Sequence, residues 1–172
     1  SSIGSPVSTK KISDTINSGG RRVSVNTVDN YLKVLTDSYI FYKAGRFDIK
    51  GRQHLKTLGK YYIVDTGIRN VLLTGRSSDL GHLLENVVYL ELLRRGNKVS
   101  IGKLAEKEVD FVAADRSGVV YYQVSASVVD QSTLRRELDV LQGIRDNHPK
   151  ILLTLDEIGA NTNHDGIRQL NV

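Results

Sequence analysis

Apolar residues recur along this chain at two different periods, and the changes of period mark out its elements. Ile12 and Ile16 stand four apart within residues 8–18, which suits one face of a short helix that Gly19-Gly20 ends. Val25, Val28, Leu32 and Leu35 follow at steps of three and four, the stripe of an amphipathic helix. Residues 39–44 are aromatic and β-branched and read as a strand. Gly45 and Gly51 bracket RFDIK, which suits a hairpin, and residues 60–68 run from strand into a short helix. From 79 to 95 apolar residues lie almost all round the helix axis, predicting a buried helix that Gly96 ends. Strands follow at 98–104, 107–115 and 119–127, the last two joined by a turn at Asp115–Gly118. A helix over 131–146 turns Leu134, Leu138, Leu141 and Ile144 inward, and strands at 150–157 and 167–172 complete the chain. Period two puts Val109, Phe111 and Ala113 on one face of their strand. The expected core is Leu84, Val87, Val88, Val109, Phe111, Val124, Leu138 and Leu141. The class is α+β, and the second half has the order αβββαβ around a mixed sheet.

Charge divides the chain where the periods do. Residues 1–76 carry 13 Lys/Arg against 5 Asp/Glu, a balance of +8, and residues 77–172 carry 11 against 14, a balance of −3. Two modules are therefore expected, 1–76 and 77–172, and the basic one is the candidate for phosphate contact. At 40% hydrophobic and 25% charged residues the 172-residue chain has the composition of a folded domain. The sequence has no cysteine, which removes disulfides and thiolate metal sites and leans towards a cytoplasmic location. No apolar run approaches a membrane span, so no membrane partner is expected. A start at Ser1-Ser2-Ile3 leads us to expect a piece of a longer protein.

Helix, turn, helix and hairpin is the order of a winged helix, and Val25-x-x-Val28-Asp29-Asn30-Tyr31-Leu32-x-x-Leu35 resembles the recognition helix of that family. On it, Asn26, Asn30 and Lys33 share a face at i, i+4 and i+7. Asn pairs bidentately with adenine, and Lys meets guanine or phosphate. Lys10, Lys11, Arg21 and Arg22 would position the DNA backbone. Asp29 and Asp37 on the same helix oppose phosphate, so protein packing stands beside DNA contact as a role for this module.

The αβββαβ order, Glu85 on its first helix and Asp110 in EVDFV resemble the PD-(D/E)xK superfamily, the restriction-endonuclease-like fold. In that family, acidic groups from neighbouring strands and the helix hold Mg²⁺ through oxygen ligands, and a lysine steadies the attacking water. If the turn is a two-residue loop at 116–117, Asp115 pairs with Gly118 and Asp110 lies opposite Gln123 on the same face; a glycine bulge at Gly118 would slip this pairing by one residue. The chemistry departs from the family there. Gln123-Val124-Ser125 stands where active members carry Glu/Asp-x-Lys, so Gln123 brings no charge and Ser125 no ammonium. Glu85 and Asp110 are left as metal ligands, for weak Mg²⁺ binding at best. Arg135, Arg136, Lys103 and Lys107 are the candidates for a migrated cation; His82, three residues before Glu85, is read first as a packing residue and otherwise as a neighbour of Glu85.

The blocks KYYIVDTGIRNVLL, DLGHLLENVVYLELLRRG, KEVDFVA, YYQVSAS and DNHPKILLTLDE, in this order, are similar to the region that follows the ATPase domain in a family of bacterial and archaeal AAA-type ATPases. The resemblance covers nearly all of the chain. It implies an upstream ATP-binding domain as partner; this chain itself has no GxxxxGK[ST] loop and needs no cofactor of its own. Three roles follow: a non-catalytic module binding nucleic acid or protein, a metal-dependent nuclease with displaced residues, and a structural docking or homo-oligomerisation domain.

Overall fold

The structure, a computed structural model, describes residues 7–72 and 80–172. The expected module boundary at 76/77 and the first residue of the helix expected from 79 lie outside the described residues.

Two short helices open the described chain, α1 (Thr9–Ser18) and α2 (Val25–Asp37). Each begins at a serine whose hydroxyl accepts a backbone N–H of the first turn: Ser8 from Lys11 and Ser24 from Thr27. The turn between them is clamped by α1. Buried Ser13 donates to the Val23 carbonyl, and the Asn17 side chain bonds both the N–H and the C=O of Val23. Strands β1 (Phe41–Asp48) and β2 (Gln53–Ile63) form the expected hairpin, followed by α3 (Thr66–Leu72) and α4 (Leu80–Arg94). Then come β3 (Lys98–Leu104), β4 (Lys107–Asp115), β5 (Gly118–Val124), α5 (Gln131–Gln142), β6 (Lys150–Thr154), β7 (Asn163–His164) and β8 (Ile167–Asn171).

All eight strands among the described residues join one mixed sheet in the order β2-β1-β3-β4-β5-β6-β8-β7. The hairpin of the basic half is part of it, because β1 pairs in parallel with β3 through Arg46–Ile101 to Asp48–Lys103. Helix α4 covers one face with Leu84, Val88, Tyr89 and Leu92 against Tyr62, Ile101, Phe111 and Ala113. Helix α5 covers part of the other face with Leu138 and Leu141 against Val109, Val112, Tyr121 and Leu152. Burying such side chains contributes about 1.5–3 kcal/mol each, so these two layers dominate the driving force for folding.

Several expectations need correction. Val87 is 44% exposed, because α4 presents Leu84, Val88 and Leu92 to the sheet and turns Val87 away, and Val124 is only half-buried. Helix α5 ends at Gln142, although Ile144 beyond it is still buried, and β5 and β6 stop at Val124 and Thr154. Val109, Phe111 and Ala113 are all buried, yet Val109 faces the α5 layer and the other two the α4 layer. A β-bulge is the cause: β3 steps from Ser100 to Gly102 while β4 steps from Val112 to Val109. Gly102 is needed opposite the bulge, since a Cβ there would stand 2.8 Å from Val109 Cβ and 2.9 Å from Ile49 Cδ1. Asp110 and Phe111 together oppose the single residue Ile101, so the irregularity falls on the candidate site.

Candidate functional site

The site begins with how β2 delivers a lysine. Gly59 passes so close to β1 that a Cβ on it would lie 2.3 Å from the Ala44 carbonyl oxygen. The next residue, Lys60, pairs with Ala44, and period two puts Lys60 and Tyr62 on the same face, under α4. Lys60 is 4% exposed and Tyr62 fully buried.

Helix α4 meets this face with Glu85 and Asn86. The Lys60 ammonium donates to Glu85 Oε1 at 2.9 Å, and the Tyr62 hydroxyl donates to the same oxygen at 2.5 Å. Lys60 Nζ also stands 2.8 Å from Glu108 Oε1 on β4, whose other oxygen pairs with Arg46 at 3.1 Å. His82 Nδ1 is 3.7 Å from Glu85 Oε2, so of the two readings of His82, packing and neighbour of Glu85, the structure places it beside the carboxylate. Asn86, with no exposed surface, works as a substitute strand. Its amide donates to the Ile63 carbonyl and its oxygen accepts the Ile63 N–H, both at 2.9 Å. These bonds hold α4 against the end of β2.

Asp110 lies between this cluster and the α5 side. The β4–β5 register pairs Asp115 with Gly118 and runs to Phe111–Tyr122, as the two-residue loop requires. Beyond that rung, side chains replace the ladder. Val124 N–H donates to Asp110 Oδ2 at 2.8 Å, and Asp110 N–H donates to Gln123 Oε1 at 3.3 Å. Burial, with the nearby charge of Glu85, pushes the Asp110 carboxyl up to about 8, although Lys60 and the Val124 N–H pull the other way. The Lys60 ammonium is held above its usual range by Glu85 and Glu108, against the desolvation that opposes its charge. The Tyr62 hydroxyl is pushed far up by burial and by Glu85.

Gln123, 7% exposed, turns its amide to the α5 side, where Nε2 donates to Glu137 Oε2 at 2.9 Å. Glu137 is itself 7% exposed and takes two further bonds from Arg136. A carboxylate at 123 would face Glu137 without a proton to share; the neutral amide satisfies both Glu137 and the Asp110 N–H. Ser125 takes no part, and its hydroxyl donates to the Ser127 carbonyl.

The structure thus brings Asp110 near Glu85 and joins its N–H to Gln123, but Gln123 turns its amide to the α5 side rather than sharing the pocket of Glu85, and Ser125 is left aside. The cation is a different one from those expected. Lys107 pairs with Asp139 and Arg136 with Glu137, and Arg135 is exposed, whereas Lys60 sits between the acids. Lys60, Tyr62, Glu108, Asn86 and Glu137 were missed from the sequence. Two signals were there: Glu108 lies two before Asp110, and Glu137 stands beside the inward stripe Leu134–Leu138–Leu141.

In the basic half, Lys10 and Lys11 lie on α1, Arg21 and Arg22 in the turn, and Asn26, Asn30 and Lys33 on α2. All seven are exposed, and Lys33 pairs with Asp37 one turn on. The same helix and its exit expose Tyr31, Val34 and Tyr39 at 59%, 60% and 71%.

Mixed α+β architecture and a charge cluster under α4 are as far as fold and site define a class. Comparison with known proteins agrees in giving no activity. A domain of unknown function (DUF8612) matches residues 1–79. An uncharacterized protein of Haemophilus influenzae is 39% identical over 170 residues, 99% of this chain and 42% of its own length. An uncharacterized protein of Methanocaldococcus jannaschii is 33% identical over 112 residues, 62% of this chain and 24% of its own length. The chain therefore spans less than half the length of these curated relatives. No solved structure matches.

Proposed function

We propose that this chain is a non-catalytic binding module of a longer, ATP-hydrolysing protein. On this reading α1, α2 and the β1–β2 hairpin are a winged helix, and α4 to β6 are a restriction-endonuclease-like core that has lost its chemistry. The order α4-β3-β4-β5-α5-β6 is the αβββαβ order of that core, with β5 and β6 parallel. The length of the relatives leaves room for a nucleotide-binding domain elsewhere in such a protein.

The observation that carries the loss of chemistry is Lys60. A Mg²⁺ site needs several anionic oxygens converging on open space. Here an ammonium stands between Glu85 and Glu108, Tyr62 takes a further share of Glu85, and Asp110 is committed to the Val124 N–H. The carbonyl oxygen of Gln123 is directed to the Asp110 N–H and its amide to Glu137. Each of these charges is answered within the fold, so the donor set does not fit the metal and supports no hydrolytic step.

For α1 and α2 the exposed basic residues favour DNA, and the exposed Tyr31, Val34 and Tyr39 favour packing on another part of the parent protein.

The test is calorimetric titration with Mn²⁺ beside a cleavage assay on single- and double-stranded DNA. The unmodified chain should show neither tight binding nor Asp110-dependent cleavage. Lys60→Met, which clears the space between the acids, should raise Mn²⁺ affinity, as should Gln123→Glu with Ser125→Lys. Robust cleavage by the unmodified chain, abolished by Asp110→Asn, would establish instead a nuclease in which Lys60 replaces the family lysine.

A further inference from the structure

The face of the sheet opposite Lys60 is only partly covered. Helix α5 shields the β5–β6–β8 end, and between α5 and the hairpin a cavity of about 300 Å³ opens across β1 to β5. Ligand pockets begin at about this size. Its floor is made of small side chains, Ser100, Val112, Ala114 and Val119, which leave a flat slot.

Two imidazoles line the cavity, and each meets an aromatic ring. His54 is exposed and meets Phe47 edge-on at 5.3 Å. His148 is exposed and meets Tyr121 edge-on at 6.2 Å. The mouth carries exposed Arg52 and Lys98. Among the described residues one acid, Asp146, lines the cavity, and it is already committed. It accepts the Tyr121 hydroxyl at 2.7 Å and the His148 backbone N–H at 3.0 Å, with Lys150 at 3.4 Å.

The cations continue beyond the slot. A second cavity of about 520 Å³ shares Ile49, Arg52 and Asp146 with the first and adds Lys50, Gly143 and Arg145. Lys98, Arg52, Lys50 and Arg145 therefore follow one groove, with an aromatic-lined slot at one end. A planar ring in the slot and a chain of negative charges along the groove satisfy both features together. A free nucleotide would use the slot and leave the far cations idle. A duplex would meet the cations and keep its rings stacked out of the slot.

We propose that this groove binds single-stranded nucleic acid, with a base between His54 and His148 and backbone phosphates along Lys98, Arg52, Lys50 and Arg145. Stacking platforms beside a basic track are the general means of holding a strand without strong sequence preference. The site lies across the sheet from the Lys60–Glu85 cluster and does not depend on whether that cluster is inactive.

Fluorescence anisotropy of a labelled 12-mer oligonucleotide at pH 8 tests this on the whole chain. All substituted side chains are exposed, and melting curves verify that the variants fold. Arg52→Ala with Lys98→Ala should lower the slope of log K against log salt by about 1.4, at ~0.7 per phosphate no longer neutralised. His54→Ala with His148→Ala should weaken binding about tenfold and leave that slope unchanged. Both effects should persist when Lys10, Lys11, Arg21 and Arg22 are alanine, which removes the other basic surface. Binding that the groove variants leave unaltered would overturn the proposal. So would equal affinity for a 12-mer duplex, or for ADP alone.

Discussion

Replacing Lys60 by methionine probes the cluster most directly. The methionine keeps the length of the stem and removes the ammonium. Lys60 is 4% exposed, with Glu85 and Glu108 at 2.9 and 2.8 Å. Removing one partner of a buried pair costs about 3–5 kcal/mol, because the other charge is left buried and unpaired. Two remaining bonds limit the cost here: Tyr62 still donates to Glu85, and Arg46 still pairs with Glu108. The lower end, about 3 kcal/mol at pH 8, is therefore expected. For a chain of this length that is a fall in Tm of about 6–12 °C. Glu85→Gln alone should also destabilise, by leaving the ammonium without its main counter-charge. Combined with Lys60→Met, Glu85→Gln should recover most of the stability, since a neutral pair leaves no charge stranded. Chemical denaturation of the four proteins gives the cycle. A Lys60→Met cost below about 1 kcal/mol, with no rescue by Glu85→Gln, would refute the reasoning, because the pair would then be solvated rather than buried.

Asp110→Asn tests the bulge and its pH dependence. With the folded pKa raised to about 8 from an ordinary 3.8, the native state keeps a proton that the unfolded chain releases in between. This contribution to stability is full below about pH 4 and disappears as pH rises through 8, so melting curves of the unmodified chain should fall across that window and those of Asp110→Asn should fall less. Asn86→Leu strands the N–H and C=O of Ile63 and should cost about 2–4 kcal/mol by chemical denaturation. Val87→Lys, on the solvent side of the same helix, should change stability by no more than about 0.5 kcal/mol. On double-stranded DNA, alanine at Lys10, Lys11, Arg21 and Arg22 should reduce the salt slope by about 0.9 for each phosphate deprived of its cation; no retention at low salt before substitution would assign α1 and α2 to protein binding.

Local order was legible in the sequence because period, caps and turn residues act over a few positions. The stripe Val25–Val28–Leu32–Leu35 became α2, a hairpin formed around Gly51 with the first strand running through Gly45 to Asp48, and the two-residue loop after Asp115 set the β4–β5 register. That register, in turn, brought Asp110 beside Gln123, and Glu85 could be placed on the right helix. What the sequence could not give is anything that depends on which distant strands become neighbours. Lys60 lies 25 residues from Glu85 and 48 from Glu108, in the half read as a separate basic module, and meets them only because β1 pairs with β3 and carries β2 under α4. The bulge that moves Val109 to the opposite face arises from a mismatch between two strands, so neither strand alone displays it. The exposure of Val87 has a similar origin, since an apolar helix does not reveal which side the sheet will occupy. Burial then decides the chemistry: an ordinary aspartate, glutamate and lysine become a linked set only where the tertiary structure removes water and leaves them to one another.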